Sequence, residues 1–224
     1  MKAASREALA NSQSRVDEIL AGDKNVASAV QAGLDIFEVV DVLDGDRELR
    51  VSFIDVAAPA EARKSLAENL FGSKVSAGAL SILQEAAANQ WSSPKDFVNG
   101  LVSLGRRALL RAAEAQGQLG QVEDELFRLA QILDREGELT QLLSDRTAES
   151  ARKRGLLANV LYGKVTMFTE ALALQAISRP EQNPIDDVAG LADTAAALQD
   201  RTIARVVAAG ELNEGQQAVL AEKL

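Results

Sequence analysis

Apolar residues recur at every third or fourth position along most of the chain, which is the spacing of one face of an α-helix. The segment after Pro94 shows this pattern clearly, with most of its charged residues lying off the apolar face. The chain has only four prolines, and residues of high helix propensity dominate it. The pattern therefore predicts an all-α protein. In the segment after Pro94 the apolar face consists of Phe97, Val98, Leu101, Leu104, Ala108 and Leu109.

A short motif occurs twice in the chain. The sequence LDGDREL at 43–49 returns as LDREGEL at 133–139, an offset of 90 residues. Ser93-Pro94 and Asn183-Pro184 also lie 90 residues apart, and each joins a capping side chain to a proline suited to the first helical position. A period near 90 is too long for a solenoid unit of about 20–50 residues. We therefore predict two tandem copies of a bundle domain with five to six helices each.

Each copy is predicted to contain the same series of helices. In the first copy the expected ranges are 24–43, 46–55, 60–71, 75–90 and 94–117, and in the second they are 120–135, 138–145, 148–162, 166–179 and 184–209. Gly72 and Gly163 stand where a C′ glycine would end the third helix of each copy. Short helices with short connections are typical of compact antiparallel bundles.

The boundary between the copies is placed in the glycine-containing segment at 116–120. The first copy, which carries an additional N-terminal helix, then covers 1–117, and the second covers 118–210. Because both flanks of this segment are strongly helical, a bend within one long shared helix is the alternative.

Three local features are interpreted as ordinary structure. The basic cluster at 152–154 is expected to be a solvated helix face, with contact to an acidic partner as the alternative. Trp91 lies just before a helix start, where we expect it to be half-buried. The triplets Ala62-Arg63-Lys64 and Ala151-Arg152-Lys153 are aligned as equivalent, which requires a local offset of 89.

The chain contains neither cysteine nor histidine. This excludes disulfides, thiolate nucleophiles, Ser-His-Asp and Cys-His relays, and zinc sites with nitrogen or sulfur ligands. Paired carboxylates are the only catalytic chemistry that remains, so a carboxylate-based enzyme is one rival interpretation. The sequence shows no acidic arrangement suited to it, and we expect no catalytic residue, no cofactor and no bound metal.

The formal charge of −9 and the isoelectric point near 4.7 argue against nucleic acid or anionic lipid as the main partner. No segment approaches the ~18 consecutive apolar residues of a membrane-spanning helix. The N-terminus carries charges where a signal peptide has its apolar core. These features predict a soluble cytoplasmic protein whose partners are other proteins.

Residues 91–134 carry a family resemblance. Their sequence is WSSPKDFVNGLVSLGRRALLRAAEAQGQLGQVEDELFRLAQILD. The combination of WS, RRALL, AE, GQ and VED-LFR-ILD resembles the delta subunit of the F-type ATP synthase, the oligomycin sensitivity-conferring protein family. Together with the duplication, it most resembles the actinobacterial form, whose N-terminal helical domain is duplicated. The resemblance covers essentially the whole chain.

The resemblance implies a non-catalytic stator subunit of the peripheral stalk, at the cytoplasmic face of the cell membrane. Such subunits grip the N-terminal helices of the alpha subunits through the helical domain and meet the b stalk largely through a C-terminal domain. The catalytic head then resists rotor torque during proton-driven ATP synthesis. Residues 211–224 resemble the start of that C-terminal domain, whose remainder we expect to be missing. A generic helical adaptor that binds amphipathic helices is the second rival interpretation.

A bundle that holds an amphipathic helix needs an apolar groove with i, i+3 and i+4 spacing. We expect this groove between the first and last helices of the second copy, while the first copy supports the b stalk. Ordinary core is the alternative for each residue. Leu126 and Phe127 lie about 100° apart on one helix, so we expect only one of them to face a partner. The candidates are Val122, Leu126, Phe127, Leu129, Ala130 and Leu133, opposite Val188, Leu191, Ala195, Leu198 and Ile203.

Overall fold

Helices make up most of the described chain. The structure is a computed structural model that describes residues 1–22, 25–145 and 147–199, together with Asn213, Gly215 and Val219. Over these residues it contains helices and turns without any strand, which confirms the all-α prediction. The helices are α1 (Ala3–Gly22), α2 (Val26–Gly45), α3 (Arg47–Phe53), α4 (Ala60–Phe71), α5 (Ala77–Ala88), α6 (Pro94–Ala115), α7 (Leu119–Arg135), α8 (Gly137–Ser144), α9 (Ser150–Leu161), α10 (Met167–Ser178) and α11 (Pro184–Ala197).

The predicted helix boundaries are close to the observed ones. For α2 to α10, each predicted helix starts and ends within two residues of the observed helix. The last helix is shorter than predicted, because α11 ends at Ala197 and the chain turns at Leu198 and Gln199. The remainder of that predicted helix, and almost all of the expected C-terminal domain at 211–224, lie outside the described residues.

Capping side chains explain where the helices α6 and α11 begin. The hydroxyl of Ser93 accepts a hydrogen bond from the amide of Asp96 at 3.1 Å, before α6. Asn183 Oδ1 accepts in the same way from the amide of Asp186 at 3.0 Å, before α11. In both helices a proline follows the cap, where its missing N–H costs no hydrogen bond. Both start signals are confirmed.

Corresponding helices start at a constant interval. The helices α9, α10 and α11 begin 90 residues after α4, α5 and α6. Two hydrogen bonds at the starts of α5 and α10 also join positions that differ by 90 residues. The Ser76 amide donates to Asp35 Oδ2 at 2.7 Å, and the Thr166 amide donates to Glu125 Oε2 at 2.8 Å. We call α1 to α6 the first half and α7 to α11 the second half, and compare their positions at an offset of 90.

This interval corrects the alignment of the basic triplets. Arg63 and Lys153 lie 90 residues apart, and each is only 6% exposed. The pairing of Arg63 with Arg152 is therefore wrong, and so is the interpretation of Lys153 as a solvated residue. Arg63 donates to the carbonyl oxygens of Ala87 and Ala88 at 2.7 and 2.9 Å. These carbonyls end α5, where the helix dipole favours a cation.

A glycine turn separates α6 from α7. Gly117 has a φ of 69°, and its amide donates to the carbonyl of Glu114 at 2.8 Å. The amide of Gln118 donates to the carbonyl of Ala113, also at 2.8 Å. This pair of bonds is the Schellman motif, which ends a helix at a left-handed glycine. The alternative of one long bent helix across 116–120 is therefore wrong.

The third helix of each half ends in a different way. Gly163 lies just beyond the cap of α9 with a φ of 66°, as expected of a C′ glycine. Gly72 directly follows α4 and keeps a right-handed φ of −54°. Its prediction as a C′ glycine is wrong, because Gly72 is itself the cap of α4, the position that Tyr162 takes after α9.

Two hydrophobic clusters form the interior. The first is built from α1 to α6 and includes Phe53 and Phe97. The second is built from α7 to α11, together with residues from α2 and α6. Helix α6 belongs to both, because Ala108 lies in the first cluster while Leu109 and Leu110 lie in the second. The halves therefore share a helix instead of meeting only at a linker.

Helix α1 lies on α5 and α6 through a face of small residues. Polar contacts fix its position, because Asp17 accepts hydrogen bonds from Arg107 Nε at 2.7 Å and from Arg111 Nη2 at 2.8 Å. The small side chains allow the helices to approach closely, but they bury little apolar surface. The buried residues of α1 are Ser5, Ala8, Ser12 and Val16.

Trp91 is more deeply buried than predicted. It is 4% exposed, and its indole Nε1 donates to the carbonyl of Ala86 at 2.8 Å. The ring lies over Gly100, where an added Cβ would be only 2.2 Å from the ring atom Cη2. The expectation of a half-buried side chain is wrong because the missing side chain at Gly100 leaves room for the whole ring.

Candidate partner-binding face

The two helices of the predicted groove pack side by side in opposite directions. Gln199, just after α11, donates from Nε2 to Glu123 near the start of α7, at 2.9 Å. On its other side α7 is tied to α10, because Glu125 accepts from the hydroxyl of Thr169 at 2.6 Å and from the amide of Thr166. Although burial raises the pKa of Glu125, these hydrogen bonds hold it below its usual value.

Most of the predicted groove residues lie in the interior. Phe127 is exposed, Leu198 is partly buried, and Ile203 lies outside the described residues. Between the two neighbours on α7, Leu126 faces the core and Phe127 faces outwards. The structure brings the candidates together in one helix pair, and their contact with a partner stays a prediction. The buried candidates are Val122, Leu126, Leu129, Ala130, Leu133, Val188, Leu191 and Ala195.

One aromatic side chain of α7 remains at the surface. Phe127 is 40% exposed, and Gln131 and Asp134 beside it are exposed as well. Helical spacing places these residues on one face with Gly120. We call Gly120, Phe127, Gln131 and Asp134 the outer face of α7. Phe127 is therefore the one predicted groove residue of α7 that lies at the surface.

The corresponding face of α2 borders a cleft of about 540 Å³ that lies between the two halves. Its residues, which we call the outer face of α2, are Val30, Phe37, Asp41 and Asp44. Val30 belongs to the second cluster, and Phe37 packs against that cluster. Asp44 Oδ2 accepts a hydrogen bond from Arg179 Nε at 2.7 Å. In the first half this face therefore carries a partly buried ring, while in the second half it carries an exposed one.

A glycine allows Phe37 to lie close to α6. A Cβ added to Gly105 would be 2.6 Å from Phe37 Cε1, so the ring occupies the space of a side chain. The corresponding residue of α11 is Ala195, which is buried and has a methyl group at that point. Ala195 thus fills with its own methyl group the kind of space that Gly105 leaves for the Phe37 ring. This difference between glycine and alanine is a signal in the sequence that could have distinguished the two faces.

Two arginines join the halves. Arg106 Nε donates to Gln175 Oε1 at 2.7 Å, and its guanidinium lies 3.5 Å from Glu181. Burial lowers the pKa of Arg106, and the nearby Glu181 carboxylate opposes that change. Arg179 Nη1 donates to Asn99 Oδ1 at 2.9 Å. Sequence reasoning missed these contacts because helical periodicity does not reveal which surfaces of two bundles meet.

The described residues contain no helix that is long and apolar enough to cross a membrane. Over the same part of the chain, no three acidic side chains are grouped in a way that could hold a metal ion.

Comparison with known proteins identifies the family. A family model described as ATP synthase delta (OSCP) subunit matches residues 107–224. The ATP synthase subunit delta of Corynebacterium aurimucosum is 73% identical over 224 residues, which is 100% of this chain and 83% of that relative. The chain belongs to the ATP synthase delta (OSCP) family. The family predicted from residues 91–134 is thus confirmed.

Further delta subunits show how far the likeness extends. Those of Corynebacterium glutamicum strain R and Corynebacterium jeikeium are 63% and 52% identical to this chain, each over 100% of the chain and 83% of the relative. The delta (OSCP) match begins within α6 and includes both α7 and α11. The outer face of α7 therefore lies within the part of the chain that matches the family model.

Proposed function

We propose that this protein is a non-catalytic subunit of the peripheral stalk that links the alpha subunits of the ATP synthase head to the b stalk. It acts at the cytoplasmic face of the membrane and keeps the head from turning with the rotor. Membership of the delta (OSCP) family supports this role. No observation on the described residues favours a carboxylate-based enzyme or an adaptor outside ATP synthase.

The second half is the proposed binding unit for the N-terminal helix of an alpha subunit. The observation that carries this proposal is the 40% exposure of Phe127 on a helix whose other large candidate residues are buried. An amphipathic helix that lies along the outer face of α7 would cover this ring and reach Leu198 at the end of α11. The first half is the proposed support for the b stalk.

Electrostatic attraction between the acidic chain and a basic partner helix would add to this apolar contact. The outer face of α7 carries Asp134, and the whole chain has a formal charge of −9. A partner helix with basic residues beside its apolar stripe would gain charge complementarity, which mainly increases the association rate and the specificity. Binding is therefore expected to weaken with increasing salt without being lost, because the aromatic contact is insensitive to screening.

Calorimetric titration of the intact chain with a synthetic alpha-subunit N-terminal helix tests the proposal. Phe127→Ala should weaken binding by about tenfold or more, as expected for a central aromatic contact. Ile132→Ala is the matched control, because Ile132 is 47% exposed on the same helix but points about 140° away. It should leave the affinity unchanged.

Three outcomes would contradict parts of the proposal. Failure of the wild-type chain to bind the peptide would remove the link to the alpha subunit. If Phe127→Ala and Ile132→Ala weakened peptide binding equally, Phe127 would not be the specific contact residue. A scrambled peptide of the same composition that bound as well as the native one would favour a generic adaptor.

A further inference from the structure

We propose that the second half binds a small oxyanion, phosphate or a free carboxylate, at the ammonium group of Lys153. The site is a cleft of about 480 Å³ between the start of α9 and the loop that joins α10 to α11, which we call the Lys153 cleft. Its volume lies within the usual range of small-molecule sites, about 300–1,000 Å³. The site is independent of the proposed contact with the alpha subunit, because none of the residues that line the cleft belongs to the outer face of α7. The lining residues include Leu143, Ser144, Ser150, Lys153, Glu181 and Asn183.

Lys153 is buried, but its ammonium group has no partner. The residue is 6% exposed, and its Nζ atom forms no hydrogen bond or ion pair within the part of the chain that the structure describes. Because every fully enclosed side-chain nitrogen of the described residues has a partner, Nζ must retain an opening. Lys153 lines the cleft, so the opening leads into it. A nearly buried cation without a partner is costly, and an anion within hydrogen-bond distance would remove that cost.

The corresponding cation of the first half is fully engaged. Arg63 Nη2 donates to the carbonyl of Ala88 at 2.9 Å. The corresponding carbonyl in the second half, that of Ser178, accepts from the hydroxyl of Ser150 at 3.0 Å. The first half has an alanine at the position of this second serine. Ser150 therefore satisfies an acceptor that would otherwise be open to Lys153.

Smaller side chains leave the cleft open. Phe53 and Trp91 are 0% and 4% exposed in the first half, and both rings pack with Phe97. The residues at the same positions of the second half are Leu143 and Glu181, which both line the cleft. The loss of two aromatic rings therefore accounts for space in the second half that the first half has filled.

The start of α9 adds hydrogen-bond donors to the cleft. Helix α9 begins at Ser150, and its cap residue, Glu149, forms no side-chain capping bond. The first amides of a helix have no intrahelical acceptor and carry the positive end of the helix dipole. Since Ser150 lines the cleft, these amides lie at its edge. They favour an anion in the same place as Lys153 does.

Two carboxylates near the site are held by other donors. Glu181 lies 3.5 Å from the guanidinium of Arg106. Asp145 Oδ1 accepts from the amide and the hydroxyl of Thr147 at 2.8 and 2.7 Å. These bonds lower the pKa of Asp145, and attraction to Lys153 adds to the effect. Because the two negative charges oppose an incoming anion, we expect a Kd on the order of 1 mM.

Amide chemical shifts of the ¹⁵N-labelled intact chain test the site. Sodium phosphate is titrated at constant ionic strength, with sodium chloride as the balancing salt. The amides of Ser150 and Ala151 should shift and reach saturation. Lys153→Met removes the charge and should raise the Kd at least about tenfold. Arg152→Met is the matched control, because it removes an exposed charge from the adjacent residue and should change the Kd by less than about twofold.

Leu143→Phe is a second variant that leaves Lys153 charged. It introduces the ring that Phe53 provides in the first half, and it should abolish the saturable shift by filling the cleft. Circular dichroism and unchanged amide shifts elsewhere show that each variant is folded. Acetate as a second probe distinguishes the two chemical forms. A response to one of the two anions assigns the site to that form, and a response to both assigns it to oxyanions in general.

Four outcomes would overturn the inference. Phosphate and acetate could both shift the amides no more than chloride does. Lys153→Met and Arg152→Met could weaken binding equally, which would indicate diffuse attraction to the basic residues at 152–154. A folded Lys153→Met chain could keep the wild-type affinity. A folded Leu143→Phe chain could keep it as well, which would place the ion outside the cleft. Each of these results would leave the proposed contact with the alpha subunit intact.

Discussion

The ring of Phe37 occupies the space that a side chain on Gly105 would need. An added Cβ would lie 2.6 Å from Phe37 Cε1 and 3.1 Å from the carbonyl oxygen of Gly33. Gly105→Ala should therefore lower the free energy of unfolding by about 1–3 kcal/mol, the usual cost of overpacking a core. Urea unfolding monitored by circular dichroism measures this change.

Gly155→Ala is the control for that substitution. Gly155 lies within α9, and an added Cβ would meet no heavy atom within 4 Å. The substitution should stabilise the chain by about 0.5–1 kcal/mol, because alanine loses less backbone entropy in a helix. Equal effects of the two substitutions would contradict the close contact between Phe37 and α6.

The attachment of α1 should depend on pH through Asp17. Although burial raises the pKa of Asp17, hydrogen bonds from Arg107 and Arg111 lower it from 3.8 to about 2. The stabilisation is therefore complete above the unfolded pKa and is lost as the pH falls from about 3.8 to about 2. Asp17→Asn should cost about 1–2 kcal/mol at neutral pH and abolish this pH dependence.

Unfolding curves recorded between pH 2 and pH 7 test this prediction. Glu18→Gln is the matched control, since Glu18 is a neighbouring acid whose ion pair with Arg15 is well exposed. Its removal should change the stability by less than about 0.5 kcal/mol. If Asp17→Asn kept the wild-type pH profile in the acid range, the contacts with the two arginines would not stabilise the fold.

Substitution of Arg63 should destabilise the fold more than substitution of most other charged residues. Its guanidinium donates to carbonyl oxygens at the end of α5 and to those of Asp55 and Ala58 in the preceding turn. Arg63→Met should cost about 3 kcal/mol, because buried acceptors lose their donors. Arg63→Lys should recover only part of this loss, since lysine cannot reproduce the planar fork of donors. Thermal unfolding compares them with Lys64→Met, a nearby substitution expected to have little effect.

Helix α6 should make the two halves unfold together. Leu110 is fully buried in the second cluster, and Leu110→Ala should cost about 2–5 kcal/mol by leaving a cavity. Trp91, the only tryptophan, lies in the first cluster and reports on it by fluorescence. Fluorescence and circular dichroism should give the same shifted midpoint. Two separate transitions, with the fluorescence midpoint unchanged, would show that the halves unfold independently.

The sequence was most informative where structure is local. The caps at Ser93 and Asn183 bond to amides three residues away, so both helix starts could be predicted from a few letters. The alignment of Arg63 with Arg152 failed because similar basic residues follow each other in both segments. The choice between them depends on carbonyls of α5, which lie 24 and 25 residues further along the chain.

The exposed residue of the candidate face was also beyond prediction, because it depends on contacts between residues distant in sequence. Helical spacing established that Leu126 and Phe127 point in different directions, but it did not determine which one faces the core. That depends on the position of α11, which is set by packing between residues distant in sequence. The burial of Val122 and Ala195 has the same origin. Periodicity identified the helix pair, and only the fold identified its exposed ring.

A helix that belongs to both clusters also determines how the molecule responds to force. The 22 residues of α6 span about 33 Å, at 1.5 Å per residue. A sideways pull on the second half is carried into the first along one continuous ladder of peptide hydrogen bonds. Bending the molecule between its halves would require Leu109 and Leu110 to leave their cluster. The two halves should therefore resist bending relative to each other, and the strain should be distributed along the shared helix α6.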